Sequence, residues 1–100
     1  MNACAYDDFL AANARYAERY RELSSTLTKA QRDRLRKMQD AWLRYRTEAC
    51  RFEAGPSAGG SIYGFVYWSC AARMTRTRAS ELAAQAHCSE GDLACGVALP

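Results

Sequence analysis

Apolar residues in the first quarter of the chain return at alternating steps of four and three. Phe9, Tyr16, Tyr20, Leu23 and Leu27, with Asn13 in the same line, fall along one stripe of a helix covering residues 2–26. Arg15, Glu18, Arg19 and Arg21 lie between them, so the stripe reads as core, and its tyrosines need polar partners at their tips. Ser24, Ser25 and Thr26 interrupt the pattern. Thr28 then stands three residues before Gln31, the spacing of a capping box. This predicts a second helix over residues 29–53, with Leu35, Met38, Trp42, Tyr45, Ala49 and Phe52 as its apolar stripe. The short connection suits an antiparallel hairpin whose two stripes face each other, with Trp42 and Tyr45 in the core.

The segment 55–61 (GPSAGGS) holds three glycines and a proline and ends the second helix. A third helix is expected over 62–86. Ile62, Tyr63, Phe65, Val66, Tyr67 and Trp68 make its first half apolar almost all round, and Arg73, Arg76, Arg78 and Glu81 make its second half amphipathic. A strand at 62–68 is the alternative, because β-branched and aromatic residues dominate there. Residues 87–100 have no period and form a tail that a Cys88–Cys95 bridge would close. The expected fold is all-α: a single domain over residues 1–100, a small bundle built on the hairpin plus a third helix, stabilised by disulfides.

Composition bounds this picture more than it changes it. One hundred residues, 49% hydrophobic and 25% charged, make one modest domain. Such a chain buries only about two-thirds of its unfolded surface, so cross-links matter. The net charge is +3, and arginine supplies twelve of the fourteen cations. Acidic neighbours at helical spacing (Asp33 with Lys37, Arg36 with Asp40, Arg44 with Glu48) favour a solvated helix surface over a phosphate-binding stripe. Nucleic acid is therefore not expected as a partner. No apolar run is long enough to span a membrane.

The five cysteines are Cys4, Cys50, Cys70, Cys88 and Cys95, and none forms a CxxC pair. With His87 the only histidine, disulfides in an oxidising compartment explain the count better than a metal site. Five is odd, which leaves one cysteine free or paired elsewhere. Met1 leads directly into Asn2, Ala3 and Cys4, with no basic segment followed by an apolar one. If the cysteines are oxidised, the expectation is an exported protein whose export signal lies outside this sequence, with Met1 internal to the natural chain.

Several landmarks occur in a set order. Met1-Asn2-Ala3-Cys4-Ala5 leads into a helix with Tyr20 and Leu23. The run Gln39-Asp40-Ala41-Trp42-Leu43-Arg44-Tyr45-Arg46 follows, then Cys50, Gly59-Gly60-Ser61, Cys70, and Thr75, Arg78 and Leu82, with Cys88 and Cys95 closing the tail. This order resembles the LprI-type lysozyme-inhibitor family of the bacterial envelope over nearly the whole chain. In that family an earlier cysteine usually precedes the first run; its absence here fits the odd count. The resemblance implies a helical, exported protein without a catalytic site or cofactor, whose partner is a lysozyme-like, peptidoglycan-cleaving enzyme. The rival class is a periplasmic structural or adaptor protein that binds another envelope protein without inhibiting it.

Cys50 and Cys70 flank the glycine segment, and a bridge between them would pin the second helix to the third; two buried free thiols are the alternative. Gly59, Gly60 and Ser61 have a structural reading, as a turn with Ser61 capping the third helix. They also have a functional one: a disulfide-anchored loop beside Tyr63 and Tyr67 could enter an enzyme cleft, with Arg51 at its base offering hydrogen bonds to a carboxylate. No nucleophile motif, metal-ligand cluster or phosphate-cradling loop is present in the sequence, so no catalytic or metal residues are assigned.

Overall fold

The computed structural model describes residues 2–88 and 95–96. It contains three α-helices, α1 (Asn2–Ser24), α2 (Lys29–Ala54) and α3 (Tyr63–Ala86), with a 3-10 turn at Gly55–Ser57. The helices run up, down and up. Phe9 meets Trp68 near the start of both α1 and α3, and Glu22 meets His87 near their ends, so these two helices are parallel. Arg46 lies over Phe9 and Trp42 stacks on Tyr16, so α2 runs antiparallel to α1. The result is an elongated bundle of 53 × 21 × 21 Å, with the all-α architecture that the periodicity implies.

Local chemistry fixes the helix starts differently. At α2 the capping box forms in full: the Gln31 N–H donates to Thr28 Oγ1 (3.2 Å) and the Thr28 N–H to Gln31 Oε1 (2.9 Å). At α3 the expected cap by Ser61 does not form. Ile62 takes the cap position with no side-chain bond, and the chain enters the helix through a Tyr63 N–H to Gly60 carbonyl turn instead. The segment 62–68 is helical, which decides against the strand.

Packing is closest between α1 and α3, while α1 and α2 meet mainly through long side chains. Ala5 and Ala12 on α1 and Ala71, Ala72, Thr75 and Ala79 on α3 are buried, and these small residues let the two backbones approach. The α1 stripe is therefore Ala5, Phe9, Ala12, Tyr16, Leu23 and Leu27; Asn13 is exposed, because the inward line passes through the neighbouring alanine. Leu23, Leu27, Leu35 and Leu82 gather at the hairpin end.

The inward face of α2 departs further from expectation. Leu35, Cys50 and Ala54 are buried and Trp42 is partly so, whereas Met38 (42% exposed), Tyr45 (64%) and Phe52 (86%) point outward. The positions that turn inward include Arg46 and Cys50, and these carry the contact with α3. The expected ion pairs also differ: Asp33 binds Lys29 (3.1 Å) and Arg36 (3.6 Å), and Glu48 binds Arg51.

A disulfide joins Cys88 to Cys95, and the Gly96 N–H donates to Gln85 Oε1 (2.7 Å). The rest of the expected tail, residues 89–94 and 97–100, lies outside the described residues.

Candidate functional site

The end of the bundle where α2 passes into α3 concentrates the unusual chemistry. Cys50 and Cys70 are bonded, with Cα atoms 5.6 Å apart, and both sulfurs are buried against Met74, whose Sδ lies 3.8 and 4.0 Å from them. Beside this bridge Arg73 Nη2 donates to both carboxylate oxygens of Glu53, at 2.8 and 3.0 Å. The ion pair is half exposed and contributes less than about 1 kcal/mol. The disulfide closes a loop of 20 residues and contributes roughly 3 kcal/mol on chain-entropy grounds.

Above that base the glycine segment folds as successive turns. The Ala58 N–H donates to the Gly55 carbonyl and the Gly60 N–H to the Ser57 carbonyl, both at 2.9 Å. Gly59 has φ +82°, a left-handed conformation that other residues adopt only with strain. A Cβ at Gly60 would sit 3.3 Å from the Ser57 carbonyl oxygen. This short path is thus fixed by backbone bonds and by glycine itself.

Aromatic rings continue from the loop into the bundle. Tyr63 stacks on Tyr67 (6.1 Å between centroids), Tyr67 meets Trp68 edge-on (5.0 Å), and Trp68 touches Tyr6 (4.8 Å) and Phe9 (5.0 Å) on α1. Arg46 packs its guanidinium 5.0 Å from the Phe9 ring and 5.2 Å from the Trp42 ring, and donates to Thr75 Oγ1 at 3.3 Å. Burial pushes its pKa below the usual arginine value, opposed by Tyr67 and Tyr16. Burial likewise raises the Tyr16 hydroxyl, offset by Arg78 and Arg46 and by a hydrogen bond to Gln39.

Gly59, Gly60 and Ser61 stand exposed on the loop, and Tyr63 and Tyr67 are half-buried next to it, so the fold brings these five together. Arg51 is exposed in the last turn of α2, with its guanidinium 3.1 Å from Glu48. Sequence reasoning missed Phe52, next to Arg51, by placing it in the core. The signal was available in Cys50: two residues along a helix is about 200°, so a residue two places from an inward cysteine faces outward.

A second concavity, of about 730 Å³, lies between the first half of α2 and the end of α3, lined chiefly by Leu27, Leu35, Met38, Leu82, Arg34 and Arg78. Among the described residues there is no cluster of His, Cys, Asp or Glu able to hold a metal ion. No described helix is long and apolar enough to cross a membrane.

A family model described as "Lysozyme inhibitor LprI" matches residues 1–82. An uncharacterised protein of Rhizobium meliloti is 28% identical over 95 residues, covering 82% of this chain and 68% of that one. No solved structure matches the chain.

Proposed function

This chain belongs to the LprI lysozyme-inhibitor family, and from that premise we propose that it is an exported envelope protein that binds and inhibits a lysozyme-like, peptidoglycan-cleaving enzyme. The observation that carries the reading beyond the family is the glycine turn at 55–61, rooted in a buried disulfide and flanked by Tyr63 and Tyr67. A loop already held by covalent and backbone bonds loses little conformational freedom on docking. Glycosidases of this class work through two carboxylates in a cleft. The loop blocks that cleft sterically, and Arg51 offers charge-assisted hydrogen bonds to a carboxylate there.

The test is cell-wall lysis by a panel of lysozymes, with and without the oxidised protein in stoichiometric excess. Dose-dependent loss of lysis is expected for at least one enzyme. Replacing the exposed Ser61 by tryptophan, alone and together with Gly60→Trp, should abolish that inhibition while the helical circular-dichroism spectrum is kept. Unchanged inhibition by both variants removes the loop from the contact. No inhibition of any lysozyme by the parent protein moves the reading to an adaptor that binds another envelope protein.

A further inference from the structure

We propose that the outer face of α2 is a docking ridge for the acidic cleft of the inhibited enzyme, extending the contact from the glycine loop along the helix. This rests on the inhibitor reading above and names the surface and the chemistry it recognises.

Met38, Tyr45 and Phe52 are seven residues apart, which on a helix returns to nearly the same face, with a drift of about 20° per step. They form an outward line about 21 Å long, and their exposure rises toward the glycine loop. Tyr45 and Phe52 leave most of their surface in solvent. About 100° around the helix runs a second line of the same period, Lys37, Arg44 and Arg51, each one residue earlier and each exposed, with the exposed acids Asp40 and Glu48 interleaved. An apolar row and a charged row with three cations to two acids thus run in register along one helix.

Charge selects the occupant. Eight of the fourteen cations lie on α2, against four of the eleven acids, whereas α1 carries more acids than cations. Among the described residues neither Lys37 nor Arg44 has an acidic partner, and only Arg51 of the row is paired, with Glu48. A second copy of the chain laid antiparallel, ridge on ridge, would set two rows of net positive charge side by side, so self-association is disfavoured. An acidic groove fits both rows. Arg44 and Arg51 are about 10 Å apart along the helix axis, near the upper separation of paired glycosidase carboxylates, roughly 5–9.5 Å. Tyr45 and Phe52, the two most exposed aromatics of the ridge, are the residue types that anchor interfaces when desolvated.

The experiment measures the affinity of the oxidised full chain for an inhibited lysozyme, in parallel with lysis, for the parent protein, Tyr45→Ala/Phe52→Ala, Arg44→Glu and Ser61→Trp. All three ridge positions are outside the core, so unchanged thermal unfolding is expected and is measured alongside. The double variant should weaken binding at least about tenfold. Arg44→Glu should weaken it severalfold, and this loss should shrink as salt is raised. Parent-like affinity and inhibition in both ridge variants would overturn the ridge while leaving the inhibitor reading in place, the more so if Ser61→Trp alone abolishes binding. If the parent chain bound no lysozyme, the inhibitor reading and the ridge would fall together. Concentration-dependent dimers lost on Phe52→Ala, or binding to anionic vesicles lost in the same variant, would also overturn the assignment, in favour of a second copy or a lipid surface.

Discussion

The two ends of the bundle are closed by different means. Where α1 turns into α2, residues 25–28 are held by local hydrogen bonds and one buried side chain. The Ser25 N–H donates to the Arg21 carbonyl, the Leu27 N–H to the Ser24 carbonyl, and the Thr28–Gln31 box completes the start of α2. Arg32 adds a 2.6 Å bond to the Leu27 carbonyl, while the Leu27 side chain is buried among Leu23, Leu35 and Leu82. Where α2 turns into α3, the connection is longer, includes a residue at positive φ, buries none of its own side chains deeply, and depends on a disulfide and an interhelical ion pair at its root. A turn anchored by its own leucine is organised around the core. A turn anchored from beneath leaves its glycines, Ser61 and the neighbouring Phe52 in solvent.

The contrast can be tested by breaking each end in turn. The largest effect is expected at the leucine end: Leu82→Ala removes a side chain only 2% exposed and should cost about 3–4 kcal/mol, read by chemical denaturation. Next, Cys50→Ala/Cys70→Ala should cost about 3 kcal/mol. Amide exchange should then accelerate across 55–66 while residues 25–32 keep their protection; equal acceleration at both ends would erase the distinction. Thr28→Ala removes one half of the capping box and should cost about 1 kcal/mol, with the reverse pattern of exchange. The smallest effect is a pH dependence. Tyr16 has its pKa raised in the fold, so its contribution is complete below the unfolded value near 10 and is lost as pH rises through the folded value. Stability should therefore fall more steeply above pH 10 in the parent than in Tyr16→Phe, as followed by thermal unfolding across that range.

How much of this was legible in the sequence follows from which interactions are local. The capping box, the break after α1 and the helix-ending glycines are written within a few residues, and the helix limits follow from them closely. The rotation of α2 was not legible. Periodicity counts Met38, Tyr45 and Phe52 as core because they are apolar, and it passes over Arg46, whose inward place depends on the rings of Phe9 and Trp42 and on Thr75. The α1–α3 seam was hidden for a related reason. Alanine occurs on every face of these helices, so only the assembled bundle shows that Ala5, Ala12, Ala71, Ala72 and Ala79 are the ones buried on α1 and α3. The loop residues offered as a site were legible as a group because glycines and flanking cysteines mark a loop and its root. Phe52 and Tyr45 were legible only by way of Cys50, whose bridge to Cys70 fixes which way α2 faces.

The Cys50–Cys70 bond has a mechanical corollary. It ties α2 to α3, while no disulfide ties α1 to either. Under tension from its two ends, the chain should shed α1 first, and then stop short of full extension. The nineteen residues between the two cysteines, a path of about 70 Å of contour from one cysteine to the other, stay shielded from the load until the bond is reduced. In a stretching experiment that length would be missing from the oxidised trace and present in the reduced one. It is a gauge of the protein's redox state that can be read without any binding partner.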